Sequence, residues 1–569
     1  MWIFKKQIIN YLLTILFTII SHSLLLCQDY YQIAPGKYWV EFEDKNNNTF
    51  SINQPHEFLS NRAIERRNRQ GISITLNDLP VSNSYISTLQ DIGVQIITTS
   101  KWLNGAVIAT DDTDLLDSIT NLSFVAQIAT PNNSESQTDS KIDKKLRNNK
   151  FLEFNSFKDH DYYNYGIYAK KQINMHHGEE LHNAGYRGQD ILIAILDGGF
   201  FGLYNTNNLS FDSIIANGQI KFARDFVEDT NIVNVSSTHG MSVLSIICAN
   251  ISGTFIGSAP EADFALIRTE DASAENIIEE IFWAAGAEYA DSIGADIINV
   301  SLGYTDYDIP EWNHTNQDLD GNTTWISKAA NIAAEKGMLV VVAAGNNGTS
   351  PPPNLGAPAD SYNVLSVGAL QADSIFADFS SQGPTADGRF KPEVMSVGKG
   401  TYLQHNNATG FGNGTSFSTP IITGLAACLW QANKNASSYE IMDAIISSAN
   451  LFYNPNDSLG YGIPDFNSAN KILKDIEKQK NESDNQILAF PNPFAHNLIL
   501  RFNQTIYNEV NISIYNVSGQ IVFCKNYNLN NTPTRIIRID ELKNEINGIY
   551  ILKVETKDDI FTTKIIKTE

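Results

Sequence analysis

The amino-acid sequence predicts an α/β protein built on a parallel sheet with helices on both faces. A small ferredoxin-like α/β unit precedes that sheet and a small β-sandwich follows it. Three observations carry the expectation. Apolar runs at 191–196, 264–267, 295–302, 338–344 and 364–369 have few polar interruptions, as strands buried on both faces do. Helix-period segments at 276–292, 323–336, 416–431 and 439–448 alternate with them, and such alternation means parallel strands joined by crossover helices. Both flanks then change texture, to a mixed pattern before this region and to short alternating segments after it. The 569 residues far exceed one ordinary domain, and 42% hydrophobic against 18% charged residues excludes general disorder. A net charge of −23 argues against nucleic acid as a partner, because phosphate binding needs clustered Lys and Arg.

The elements follow in chain order. Lys5 and Lys6 precede an uncharged stretch with an apolar centre at 8–20 and the polar Ser21-His22-Ser23, the pattern of a secretory signal peptide over 1–27. A membrane anchor needs about 20 apolar residues, which this core lacks. A lipid-bearing Cys27 would want a small residue before it, where Leu26 stands. In the segment 28–131, a strand at 38–42 and a charged helix at 56–70 ended by Gly71 come first. A helix at 85–92, strands at 94–99 and 105–110, a helix at 114–119 and a strand at 124–129 follow, and with the first helix left aside the order is β-α-β-β-α-β, the ferredoxin-like one. The polar stretch 132–164, rich in Lys and Asn to residue 160, reads as a linker. The sheet-bearing domain spans 165–470, and the charged stretch 471–485 reads as a second linker. From 486 to 569 the alternation Val510-x-Ile512-x-Ile514 and turns at Ser518-Gly519 and Asn547-Gly548 indicate the sandwich.

Three segments of the large domain carry chemistry. An apolar strand ends on Asp197, followed by two glycines; carboxyl ends of parallel strands are where sites assemble. Thr238-His239-Gly240 opens an apolar helical segment, and imidazole can take and return a proton near neutral pH. Gly412-Asn413-Gly414-Thr415-Ser416 leads into a buried helix, whose first amides point outward unpaired and favour developing negative charge. Each alone has a plain structural role, as a turn cap, a satisfied histidine or an N-cap. Together they supply a nucleophile, a base and the carboxylate that fixes the base's tautomer. The order Asp…His…Ser is that of subtilisin, and the Gly-x-Ser-x-Gly elbow of α/β-hydrolases is not the pattern around Ser416.

On these motifs, and on Gly-Thr-Ser-Phe-Ser-Thr-Pro at 414–420, the domain 165–470 resembles the subtilisin-like serine peptidases. The family's usual Met and Ala are replaced by Phe417 and Ser418. The resemblance implies a secreted serine endopeptidase working through Asp197, His239 and Ser416, with Asn346 of Ala343-Ala344-Gly345-Asn346 as oxyanion donor. It implies that Ser301, Leu302 and Gly303 pair with the substrate backbone, and that Ala343, Ala344, Gly345 and Gly356 line the pocket for the residue before the cut. It implies no catalytic cofactor, and protein or peptide substrates.

The flanks fit the same resemblance. Phe58-Leu59-Ser60-Asn61-Arg62-Ala63 and Lys101-Trp102-Leu103-Asn104 are similar to inhibitory pro-segments of secreted bacterial subtilases. Phe490-Pro491-Asn492-Pro493-Phe494 and Gly548-Ile549-Tyr550 resemble the type IX secretion sorting domains of Bacteroidetes. These imply the pro-segment as the chain's own inhibitor, outer-membrane secretion machinery as a partner, and a secreted or cell-surface location reached via the periplasm. Asp318-x-Asp320-Gly321-Asn322 invites a structural calcium, although a twelve-residue calcium loop from Asp318 would want a glycine at Thr323 and a carboxylate at Ala329. Cys248 and Cys428, each in an apolar helical segment, read as buried small hydrophobes.

Overall fold

The computed structural model describes residues 30–128, 161–235, 237–482, 487–490, 492, 494, 498–506, 508–529, 534–539, 542, 545–557 and 559–568. The expected signal peptide and the polar run 132–160 lie outside the described residues.

The first unit contains β1 (Lys37–Phe42), α1 (Asn61–Gln70), α2 (Asn83–Ile92), β2 (Gln95–Ser100), β3 (Gly105–Ala109), α3 (Thr113–Thr120) and β4 (Val125–Ile128). Its sheet runs β2-β3-β1-β4, the ferredoxin-like order. Helix α1 starts later than expected because Ser60 caps it, accepting from the Ala63 amide at 3.2 Å. It ends where Gly71 turns left-handed at φ 67°.

The large domain contributes β5 (Leu192–Asp197), β6 (Ile220–Asp225), α4 (His239–Cys248), β7 (Asp263–Arg268), α5 (Ile278–Ile293), β8 (Ile297–Val300), α6 (Trp325–Glu335), β9 (Leu339–Ala343), β10 (Leu365–Gln371), β11 (Val394–His405), β12 (Ala408–Asn413), α7 (Thr415–Ala432), α8 (Ser438–Ser447) and α9 (Phe466–Glu482). Its eight-stranded sheet has the order β12-β11-β10-β9-β8-β5-β7-β6 and is parallel except at the β11–β12 hairpin. Alternate residues of β5 serve two cores. Ile193 and Ile195 pack with α4 and α7, whereas Leu192, Ala194 and Leu196 pack with α5 and α6. Burial on both faces is why these strands read as unbroken apolar runs. From β5 the chain runs out to the edge strand β6, returns to β7 at one side of β5 and then crosses to β8 at the other, so the carboxyl end of β5 stands at the topological switch point. Cys248 and Cys428 are both fully buried in the helical core.

One expectation is corrected here, and three strands are added. The stretch 471–485 is not a linker over most of its length; it is the larger part of α9, with Leu473 and Ile476 buried and Ile472 partly so. Its charges occupy the opposite helical face. The strands β6, β11 and β12 belong to the sheet although no apolar run announced them.

The first unit lays its sheet against α5. Trp39 and Trp102 share a core with Ile281, Phe282 and Trp325, and the Trp39 and Trp325 rings lie 6.0 Å apart. Glu288 of α5 accepts from the Ser100 hydroxyl and from the Lys101 and Trp102 amides, the latter two at 2.9 Å. Beside it, Asp291 is fully buried and bonded by Arg66, Arg67 and Lys101. Burial alone would raise the Asp291 carboxyl; these cations outweigh it and hold it well below the usual carboxylate range. The C-terminal region folds into a three-stranded and a four-stranded sheet around one core that includes Leu500, Ile512, Ile514 and Leu552.

Candidate active site

The expected catalytic residues converge on the carboxyl edge of the parallel sheet. Asp197 closes β5 and is fully buried. Its two carboxylate oxygens each lie 3.0 Å from Nδ1 of His239, the first residue of α4. The Ser237 hydroxyl accepts from the His239 amide at 3.0 Å and fixes the start of the helix. Burial lowers the imidazole pKa, but the Asp197 charge and hydrogen bond, with Glu270 behind them, leave it raised above the ordinary value. The ring leans on Phe417, with centroids 5.7 Å apart. Phe417, at the family's usual Met position, thus forms part of the histidine's seat.

Ser416 stands in the first turn of α7, which packs on the face of the sheet that presents Ile193 and Ile195. Gly414 precedes it at φ 152°, a backbone state that side chains rarely adopt. The Ser416 hydroxyl donates to the Ser301 carbonyl at 2.9 Å, and the Ser301 hydroxyl donates back to the Ser416 carbonyl at 2.9 Å. In this resting geometry the nucleophile candidate is turned toward β8 rather than bonded to His239. Such bonds commonly form only when substrate is bound.

Asn346 follows β9. Its side-chain oxygen accepts from the Thr415 amide at 2.9 Å and the Thr415 hydroxyl at 3.1 Å, which leaves Nδ2 pointing outward. A Cβ built on Gly414 would sit 3.7 Å from the Ser416 nitrogen and 3.8 Å from Asn346 Nδ2. The two donors therefore flank one small space. Thr415 was not foreseen from sequence. Its hydroxyl also accepts from Gly345 N at 3.2 Å, so one threonine ties β9 to α7.

Leu302 and Gly303 lie beyond the ladder of β8, which ends at Val300; pairing resumes where Tyr304 and Ala357 exchange bonds of 2.8 and 3.0 Å. Gly303 and Gly356 face each other across this segment, a built Cβ on Gly356 falling 3.5 Å from Gly303 backbone atoms. Ala343 and Ala344 are buried beneath, and Gly345 at φ 109° could take no Cβ without meeting the Ser381 hydroxyl at 2.8 Å. Asp318 and Asp320 lie elsewhere, their carboxylates accepting from Thr315 and from the Asn322 and Thr323 amides of their own turns.

Residues 188–463 match the model of the Subtilase family. This region is a subtilase domain. Residues 37–146 match the Peptidase S8 propeptide domain of Bacteroidota, running past the boundary at 131 expected from sequence. Residues 488–568 match the Secretion system C-terminal sorting domain, which makes this a secreted or cell-surface protein. The subtilase region is similar to the thermophilic serine proteinase of Bacillus sp. (strain AK1), 31% identical over 43% of this chain and 55% of that protein. It is 28% identical to subtilisin E of Bacillus subtilis (strain 168) over 52% of this chain and 71% of the relative. Against subtilisin DY of Bacillus licheniformis the identity is 28%, over 49% of this chain and 89% of the relative. The chain thus spans about half the length of the first of these and most of the last.

Proposed function

We propose that this subtilase is a secreted serine endopeptidase that cuts peptide bonds through an acyl-enzyme. The observation that carries the reading is the buried Asp197 carboxylate 3.0 Å from His239 Nδ1, beside a serine at the start of α7. Asp197 holds the proton on Nδ1, so Nε2 carries the lone pair. Rotation about the Ser416 Cα–Cβ bond frees its hydroxyl from the Ser301 carbonyl and turns it to Nε2. Its oxygen attacks the scissile carbonyl as its proton passes to the imidazole. Charge on the tetrahedral oxygen is met by the Ser416 N–H and Asn346 Nδ2. The imidazolium then protonates the leaving amine, and water repeats the sequence to release the acid. No cofactor enters these steps. Ser301, Leu302 and Gly303 offer backbone groups to an extended substrate, and the small walls at Ala343, Ala344, Gly345, Gly303 and Gly356 favour an uncharged residue before the cut.

The unit 28–131 acts as the inhibitor until it is removed, and the region after 485 is the address for export. A structural calcium at Asp318–Asn322 finds little support, since both aspartates already serve their own turns. The test of the catalytic roles is covalent labelling. A fluorophosphonate should modify Ser416 alone in the secreted protein, and Ser416→Ala should abolish both labelling and hydrolysis. Labelling at another serine, or wild-type turnover in Ser416→Ala, overturns the assignment.

A further inference from the structure

The loop from β7 to α5 carries three carboxylates that take no step in the proposed chemistry, although Glu270 adds to the charge that raises the His239 imidazole. Glu270 follows the carboxyl end of β7, Glu275 lies on the exposed loop, and Glu279 falls in the first turn of α5. One carboxylate oxygen from each lies within 4.8 Å of the others. Among the described residues, no lysine or arginine forms a salt bridge with any of the three. Clusters of acid groups are common, but this one holds atoms left without partners. Glu279 is only 1% exposed; its Oε1 accepts from the Asp271 amide at 2.7 Å, and its Oε2 has no hydrogen-bond partner. Tyr304 is 2% exposed and its hydroxyl is also unpartnered; burial first, and then the nearby charges of Glu270, Glu279 and Glu275, raise its pKa. Each unmade bond at a buried polar atom is costly, and burial with the neighbouring carboxylates pushes Glu270 up to about 8 and Glu279 up to about 9, a repulsion that a cation among the three would relieve.

We propose that Glu270, Glu275 and Glu279 bind a hard divalent metal ion of the calcium type, with the Tyr304 hydroxyl beside it. The dimensions fit. Ligand oxygens around calcium sit about 2.3–2.6 Å from the ion, so two of them can be no more than roughly 4.6–5.2 Å apart. The donors are all oxygen, the set hard cations prefer, and the exposed Glu275 leaves an open side for water to complete the shell. A lysine or arginine of a bound peptide is the competing occupant. It would bring one positive charge to three carboxylates and would have to reach an oxygen of a nearly buried side chain; a bare ion does both more easily. A Cβ built on Gly198 falls 3.0 Å from Glu270 Oε2, so the ion would brace the loop beside the glycine that follows Asp197.

This inference does not depend on the catalytic roles, and its test reads binding. The full chain bearing Ser416→Ala would be titrated with calcium by calorimetry and melted with calcium and with chelator. The same would be done for the double variants Ser416→Ala/Glu279→Gln and Ser416→Ala/Glu275→Gln. Glu275 is exposed, so its variant stays interpretable if the Glu279 one fails to fold. The expected result is one calcium fewer per chain, or at least tenfold weaker binding at one site, with a smaller calcium-induced rise in Tm. Unchanged stoichiometry, affinity and Tm shift in the Glu275→Gln double variant overturn the site. A second arm compares wild type and Glu275→Gln on peptides carrying Arg or Leu upstream of the cut, in chelator. An arginine preference that survives chelator and disappears in the variant also overturns it, reassigning the cluster to a substrate side chain.

Discussion

Replacing Arg66 with alanine should loosen the grip of the propeptide domain on the peptidase by about a hundredfold or more. Arg66 is 1% exposed, and its hydrogen bonds run to the Asp291 carboxylate and to the Ala295 and Lys336 carbonyls. These three partners belong to the peptidase domain. Truncation therefore leaves one carboxylate with a cation fewer and two carbonyls without a donor, all in the buried interface. Removing one partner of a buried ion pair costs about 3–5 kcal/mol. Two terms pull toward the lower end. Burial itself disfavours the Arg66 charge, a penalty that disappears with the side chain. Asp291 also keeps Arg67, at 2.8 and 2.7 Å, and Lys101. Since about 1.4 kcal/mol is a factor of ten, roughly 3 kcal/mol raises the inhibition constant by on the order of 10². The assay adds separately made pro-segment, wild type or Arg66→Ala, to the same mature peptidase and measures inhibition of peptide hydrolysis. Any cost of ordering the free pro-segment is common to both, because the bonds lost cross to the peptidase. Arg69→Ala is the control. Its ion pair is 3.6 Å to Asp296 from a side chain 38% exposed, so it should shift inhibition by no more than a few-fold. An Arg66→Ala constant within threefold of wild type would refute the reasoning.

Asn346→Ala should lower kcat by roughly 10²–10³ with KM little changed, since one oxyanion donor remains and the lost bond belongs to the transition state; single-turnover kinetics separate the two parameters. His239 must be neutral to act as base, and its pKa lies above the ordinary 6.5, so kcat/KM should fall with acid at a midpoint above that value. Asp197→Asn removes the negative charge that raises the imidazole pKa, so the residual activity, lower by about 10⁴, should show this limb moved to lower pH. Deleting residues 486–569 should leave active peptidase in the periplasm. Normal appearance of the truncated protein in the medium would show that the tail is not its address.

The central sheet was legible because its strands are buried on both faces, and a strand such as Leu192–Asp197 must then be written in apolar residues up to the carboxylate that closes it. The edges were not, for the same reason inverted. Strand β6 exposes Lys221, and β11 passes through Gly398, Lys399 and Gly400 as its pairing with β12 shifts register between Lys399 and Thr401. Neither pattern separates a strand from a loop without its neighbour in place. Helix α9 did carry a stripe, Ile472, Leu473 and Ile476, but Lys471, Lys474, Asp475, Glu477 and Lys478 around it set the mean character of the segment and led to a linker reading. Asp197, His239 and Ser416 stood out because each needs a local backbone setting that leaves its own mark: a strand end with glycines, a helix start, a glycine-led helix start. Thr415, by contrast, matters for what folding brings to it. Its hydroxyl meets Gly345 and Asn346, just past a strand about seventy residues away in the chain, and nothing in Gly414-Thr415-Ser416 announces that partner. Arg66 and Asp291, 225 residues apart, extend the same rule across a domain boundary. Local geometry writes a residue's chemistry into its neighbours, whereas the groups that orient or restrain that chemistry from afar look like ordinary polar side chains until the fold supplies the other half.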